Sequence, residues 1–295
     1  MRVLRLLVGV LAVVLGLVGC TDQPSTEEPT DTMSVTGAFG RAPIVSFDVP
    51  LPLTEGEAEV IVEGEGRELA ADQPALLALT AYDGDDGAVL EDRGAGEART
   101  LLLTPDDVGE DLYDVLVGAT EGSRLIVTQP ISAEDGDRML VLVIDVLPTS
   151  AQGEAVAPPE GSPTVTVGAD GAPVITLPDA EPPSSLEVIP LIRGEGDQVR
   201  PGQEVTLQYT AVTWPGGEVY DSTWAAGALP RTVAIDDTFP GLRDGLIDQR
   251  VGSRVLLIVP PALGAGTHTL VMVVDILATA GGDGEVVVPS PATTE

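Results

Sequence analysis

The chain repeats itself at a constant offset of 130 residues. Val35/Val165, Thr36/Thr166, Ala42/Ala172 and Pro43/Pro173 open the register, and Gly64-Glu65-Gly66 then matches Gly194-Glu195-Gly196. Thr80-Ala81 pairs with Thr210-Ala211, and Leu112, Asp114 and Leu116 with Leu242, Asp244 and Leu246. Gly122-Ser123-Arg124 returns as Gly252-Ser253-Arg254, Pro130 as Pro260, and Asp145 and Leu147 as Asp275 and Leu277. A solenoid unit is about 20–50 residues long, so this period is one whole domain duplicated. The two copies part company in their rings. Five of the nine aromatic residues fall between Tyr209 and Phe239, in the second copy alone.

The flanks and the joint between the copies set the boundaries. Arg2 and Arg5 precede an apolar run from Leu6 to Val18, too short for an ordinary spanning helix of about 20 residues and suited to a secretory signal. Cys20, the single cysteine, follows Leu17-Val18-Gly19 directly, which resembles the lipobox of bacterial lipoproteins. The expectation is a signal at 1–19, lipid on the Cys20 thiol, and the rest of the chain at the extracytoplasmic face of the membrane. With one cysteine no internal disulfide can form. Residues 20–33, rich in Thr, Pro, Glu and Ser, read as a tether, 151–162 as a linker of similar composition, and 281–295 as an unstructured tail. Two domains remain, at 34–150 and 163–280, each of ordinary size.

Formal charge is −33, and the 14 basic residues are all arginine. Such a surface repels nucleic acid and anionic headgroups, so no nucleic-acid partner is expected, and membrane association rests on the Cys20 lipid. His268 is the sole histidine, which excludes histidine metal clusters and a Ser/His/Asp triad. Asp83-Gly-Asp-Asp-Gly87 lacks the spacing of a calcium loop and reads as a solvated turn. The Gly-Glu-Gly triplets have no phosphate-binding helix behind them, so nucleotide binding is unsupported. Neither a metal nor a cofactor is expected.

Periodicity is that of short strands. Thr164 to Leu177 carries Asp170-Gly171 between β-branched runs, a hairpin signal. Val205–Val212, Val255–Val259 and Leu270–Leu277 alternate wholly or in part. One short helix per copy is expected, over about Pro240–Gln249 and Glu110–Thr120, which makes the fold class α+β.

Ordered motifs in the second copy carry a family resemblance. Ile192-Arg-Gly-Glu-Gly196, Gly202-Gln-Glu-Val-Thr-Leu-Gln-Tyr-Thr210 and Gly217-Glu-Val-Tyr-Asp-Ser222 come first. Phe239-Pro-Gly-Leu-Arg-Asp-Gly245, Val251-Gly-Ser-Arg254, Val259-Pro-Pro261 and Thr269-Leu-Val271 follow. Together they resemble the FKBP-type peptidyl-prolyl cis-trans isomerases over nearly all of that copy, and the register extends the fold to the first. The resemblance implies two tandem domains, each a curved antiparallel sheet wrapped round one short helix with a pocket between them. It implies proline-containing polypeptides as substrates, and raises binding of macrolides directed at that family.

Carried over residue by residue, the resemblance makes Tyr209, Tyr220 and Asp221 the catalytic set. Tyr209 bonded to Asp221 would form a polar rim and Tyr220 a wall; Thr238 and Phe239 would meet the ligand through their backbone. Departures are equally specific. Leu242 stands where the family has a floor tryptophan, Arg231 and Ala265 replace two aromatics, Met272 replaces a phenylalanine, and the covering loop before Thr267-His268 is short. Trp214 and Trp224 are read as loop residues near the rim. In the first copy Leu79, Leu90 and Glu91 replace Tyr209, Tyr220 and Asp221, so that copy is read as non-catalytic. The rival reading of the whole chain is a non-catalytic chaperone or protein-binding module on the same scaffold.

Overall fold

Stretches of alternating and β-branched residues become long, paired strands wherever one or both faces find cover. The computed structural model describes residues 33–90, 95–133, 136–168, 171–225, 227–264 and 266–281. The described residues from Met33 onward form one compact unit. Its first domain holds β1 (Ser34–Thr36), β2 (Ile44–Ser46), β3 (Glu57–Val62), β4 (Pro74–Asp83), β5 (Ala95–Leu102), α1 (Pro105–Val108), α2 (Glu110–Leu116), β6 (Arg124–Ala133) and β7 (Gly136–Leu147). The second holds β8 (Glu154–Ala155), β9 (Thr164–Val167), β10 (Pro173–Thr176), β11 (Glu187–Arg193), β12 (Gln203–Trp214), β13 (Val219–Ser222), β14 (Arg231–Ala234), α3 (Pro240–Leu246), β15 (Arg254–Val259) and β16 (Thr269–Gly281).

The duplication read in the sequence is a duplication of topology. The first sheet runs β3-β6-β7-β4-β5; the second runs β11-β15-β16-β12, with β13 and β14 both on the outer side of β12. Every pairing is antiparallel. Even the irregularity recurs, since β3 bulges between Val60 and Val62 and β11 between Pro190 and Ile192. The architecture is α+β, as the resemblance implied.

Each sheet is covered twice. On the helix side of the second domain, Leu242 and Leu246 of α3 pack with Tyr209, Leu257, Met272 and Val274. On the reverse side the β9–β10 hairpin lays Val165, Ile175 and Leu177 against Val212, Trp214, Leu256 and Val271. The β1–β2 hairpin does the same in the first domain, through Val35, Val45 and Phe47 against Tyr82, Ile126 and Val141. Strand side chains alternate between faces, so a sheet apolar on both faces requires both covers.

The repeated charged and glycine positions are structural. Arg124 Nε donates to Asp145 Oδ1 at 2.6 Å and Arg254 Nε to Asp275 Oδ1 at 2.6 Å, with all four side chains buried. Burial alone would lower the Arg254 pKa, but the bond and charge of Asp275 outweigh it and raise it. Gly64 and Gly194 leave no room for a side chain, because a Cβ would sit 2.3 Å from the carbonyl oxygens of Glu121 and Val251 respectively. Their N–H groups donate to Ser123 Oγ and Ser253 Oγ at 2.9 and 3.0 Å. The triplets are packing points.

Three expectations need correction. The helices end early: α3 stops at Leu246 and α2 at Leu116, because Ile247 and Val117 turn to extended ψ values of 139° and 122°. Asp248 then takes φ 70°, which Asp tolerates better than most residues, and returns its N–H to Val199. The joining segment is not a free linker. Ala151 N–H donates to Asp275 Oδ2 at 2.9 Å, Gln152 N–H to the Gly252 carbonyl at 2.9 Å, and Glu154–Ala155 add a strand to β11. The domains also share an apolar seam of Leu76, Ala78 and Leu147 against Leu277 and Ala278. Third, Trp214 is no rim residue: it ends β12 on the reverse face, buried, with Nε1 donating to the Ala180 carbonyl at 3.1 Å. Trp224 lies against Gly171, in a crevice shared with Gln208, Arg254 and Arg67 of the first domain.

Candidate functional site

The site is assembled on β12 and its two outer partners. Tyr209 and Ala211 share the helix-side face of β12, and Asp221 of β13 stands directly across from Ala211. Tyr209 Oη therefore reaches the carboxylate and donates to Asp221 Oδ2 at 2.6 Å. The Ser222 N–H holds the other oxygen, Oδ1, at 2.9 Å. Thr223, to which the sequence assigned no role, locks the backbone: Tyr209 N–H donates to its Oγ1 at 2.8 Å, and its own N–H donates to the Tyr209 carbonyl at 3.0 Å.

Arg231, expected at the pocket as the replacement of an aromatic, takes a larger part than that. It enters from β14, opposite Leu207, and places its guanidinium 5.6 Å from the centroid of the Tyr209 ring. Its Nη1 also donates to Asp221 Oδ2 at 3.3 Å, so one carboxylate oxygen accepts from both phenol and guanidinium. A cation over an aromatic face is attracted by the ring quadrupole, and here it closes the side where the family carries an aromatic. Burial, reinforced by the bond to Asp221, raises the Tyr209 pKa well above its ordinary value. The phenol thus stays protonated and oriented.

Under this polar edge lies an apolar floor. Leu242 comes from α3, Met272 from β16 opposite Ala211, and Val259 and Leu270 from the two central strands, all buried in one cluster with Tyr209. Phe239 packs against the same cluster from the head of α3. Thr238 Oγ1 donates to the Ile235 carbonyl at 2.8 Å, fixing the turn before the helix. The Phe239 carbonyl receives the first helical N–H groups, while its own N–H takes no acceptor among the described residues. Tyr220 sits in the bulge of β13 with half its surface exposed, so it stands at the margin rather than as an enclosed wall. Cys20, Glu91 and Ala265 lie outside the described residues.

At the corresponding place the first domain carries a cavity lined by other residues. Leu79, Leu112, Leu140 and Leu142 line a cavity of about 410 Å³ with Gly109, Glu110 and Asp111 at the head of α2. The register places Leu79 where Tyr209 stands and Leu142 where Met272 stands. Leu90 and Leu79 both pack against the core of that domain.

Residues 196–275 match the family model for FKBP-type peptidyl-prolyl cis-trans isomerases. A probable FK506-binding protein of Corynebacterium glutamicum is 31% identical over 115 residues, spanning 36% of this chain and 97% of that protein. The chain belongs to the FKBP-type peptidyl-prolyl isomerase family. An FK506-binding protein of Streptomyces anulatus is 29% identical over 118 residues, spanning 36% of this chain and 95% of that protein. Among solved structures, FkpA from Escherichia coli is 21% identical, with 41% of this chain and 52% of that one covered and a TM-score of 0.31. The three FKBP domains of wheat FKBP73 are 16% identical, covering 76% and 94%, with a TM-score of 0.30.

For an FKBP-type site the geometry has a plain chemical sense. It offers no nucleophile poised for covalent attack. It offers an apolar floor, an unengaged N–H at Phe239, and a phenol, carboxylate and guanidinium locked to each other. That combination can desolvate and grip an imide bond.

Proposed function

We propose that the second domain is a peptidyl-prolyl cis-trans isomerase acting on exported polypeptides at the outer face of the membrane, with the chain held there by lipid on Cys20. The first domain does not catalyse. Rotation about an X–Pro bond requires loss of amide resonance, at a barrier of about 18–20 kcal/mol. Water on the carbonyl supports that resonance. A dry floor of Leu242, Met272 and Phe239 strips the water, and contacts that fit the twisted amide better than either planar form lower the barrier. The Phe239 N–H supplies a donor to the substrate chain.

The observation that carries this reading is the Tyr209–Asp221–Arg231 arrangement over an apolar floor in one domain only. The competing reading, a non-catalytic binding module, draws on Leu242 and Met272 standing where the family has rings. The deciding experiment is a protease-free prolyl isomerisation assay on the chain from Thr21 to Glu295, kept whole because β8 and Ala151 belong to the second domain's frame. Acceleration that falls about ten-fold or more in Asp221→Ala and persists in Leu79→Ala establishes the second domain as the catalyst. A folded chain that accelerates nothing but still binds proline peptides establishes the binding module. Macrolide binding is the cheaper companion measurement, with titration calorimetry as its readout.

A further inference from the structure

The two domains treat the same sheet edge in opposite ways. In the second, the edge strand β11 is covered: Glu154 and Ala155 pair with Arg193 and Ile192, and the Val156 N–H donates to the Leu191 carbonyl at 2.8 Å. The added strand also matches charge, with Arg193 Nη1 3.5 Å from Glu154 Oε2. Pro190 removes one N–H from that edge, the position at which proline is tolerated in a sheet. In the first domain the corresponding strand is β3. All six of its residues are exposed, and Val60, Ile61 and Val62 present a run of apolar side chains at 53%, 38% and 48% exposure. Val60 replaces Pro190, so the outward N–H is restored. Glu63 replaces Arg193, so the charge is inverted.

An uncovered, apolar edge with its donors intact is a template for another strand. We propose that the β3 edge of the first domain docks an extended segment of a partner polypeptide, one carrying a basic residue opposite Glu63, a small apolar residue opposite Val62, and an N–H directed at the Ile61 carbonyl. The register is that of Glu154-Ala155-Val156 on β11, with the acid exchanged for a base. The chain's own segments on either side of the described residues fit poorly. Residues 21–32 and 282–295 carry acids, at Asp22, Glu27, Glu28, Asp31, Asp283, Glu285 and Glu295, and no base. Partner capture at this edge is independent of the isomerase reading.

The test uses the chain from Thr21 to Glu295 and two heptapeptide probes copied from residues 151–157, one with glutamate and one with arginine in the place of Glu154. Binding is read by fluorescence anisotropy of a label on the peptide. The arginine probe is expected to bind about three-fold more tightly than the glutamate probe, the size of an exposed ion pair. Glu63→Arg should invert that preference while leaving the fold intact, and Val60→Pro should weaken both probes about ten-fold by removing a main-chain donor. Equal binding of the two probes, or a preference unmoved by Glu63→Arg, overturns the proposal. So does binding that emerges only after residues 21–32 or 282–295 are deleted, since one of those segments would then be the occupant. A chain that sediments as a dimer until Glu63 is reversed overturns it in favour of a second copy.

Discussion

Leu79 stands in the first domain where the second has Tyr209, and Leu142 where the second has Met272, yet both pairs lie on corresponding strands of equivalent sheets. The frame beneath them scarcely differs. Arg124–Asp145 and Arg254–Asp275 repeat to within the same distances, and both Gly-Glu-Gly turns press against a carbonyl that admits no Cβ. What distinguishes the domains most is the lining of the groove and the treatment of one sheet edge. Duplication has left stability common and chemistry separate. Substitutions in the frame should therefore cost stability and spare the groove's chemistry, whereas those in the groove should cost stability in both domains and activity in one.

The largest effect is expected at the buried ion pairs. Asp275 is fully buried, and Asp275→Ala strands Arg254 and frees the Ala151 N–H, at a cost of about 3–5 kcal/mol. Asp145→Ala should cost less by about 1 kcal/mol, because Arg124 also donates to the Gly37 carbonyl at 3.0 Å and the Ala38 carbonyl at 2.9 Å. Urea unfolding of the two variants measures the difference. Equal losses would show that the carbonyls contribute nothing to the first pair.

Groove truncations come next. Met272→Ala and Leu142→Ala each remove a buried side chain and should each cost about 2–4 kcal/mol. Only Met272→Ala should slow prolyl isomerisation, by about ten-fold through a wetter floor. An equal loss of activity in Leu142→Ala would place catalysis in both grooves and erase the distinction between the domains.

Much of this contrast was legible in the sequence, and the parts that were not have physical reasons. The register and the strands follow from local spacing, and Tyr209 with Asp221 from the family resemblance. Trp214 is no loop residue because β12 runs to it, and alternation from Tyr209 puts an even-numbered residue on the reverse face. In the sequence Arg231 reads as a pocket position that has lost an aromatic. Its bond to Asp221 depends on two strands, β13 and β14, meeting on one side of β12, which no short window reveals. The 151–162 segment has the composition of a linker, but an open edge on β11 takes up its main chain, and main-chain pairing leaves little trace in side-chain pattern.

Alkaline stability offers a smaller but signed comparison, since each domain buries one tyrosine. Burial pushes the Tyr82 pKa up to about 12, and burial with the Asp221 bond raises that of Tyr209 further. An unfolded tyrosine ionises near 10, so above that pH the unfolded chain binds fewer protons than the folded one. Stability from these phenols is complete below pH 10 and falls as pH rises, by at most about 1.4 kcal/mol per unit for each tyrosine. The Tyr82 contribution levels off by about pH 12, whereas that of Tyr209 continues to fall. Denaturant midpoints between pH 9 and 11.5 should show a shallower decline in Tyr209→Phe and in Tyr82→Phe than in the parent. An unchanged slope in Tyr209→Phe would mean that its hydroxyl is far wetter than the geometry allows.

Arg231→Ala carries the smallest expected effect and the finest information. The guanidinium is more than half exposed and its ion pair with Asp221 is partly solvated, so its cation–π contact and charge together contribute about 0.5–1 kcal/mol. Removing it leaves the Tyr209–Asp221 bond in place, because Ser222 still holds the other carboxylate oxygen. The fold should then be nearly unperturbed while one wall of the groove opens to water. Isomerisation of peptides with a large residue before proline is expected to gain relative to those with a small one, measured as a ratio of kcat/KM. A uniform loss across peptides would show instead that the guanidinium orients Asp221, and that the ring it replaces in the family had served only as a wall.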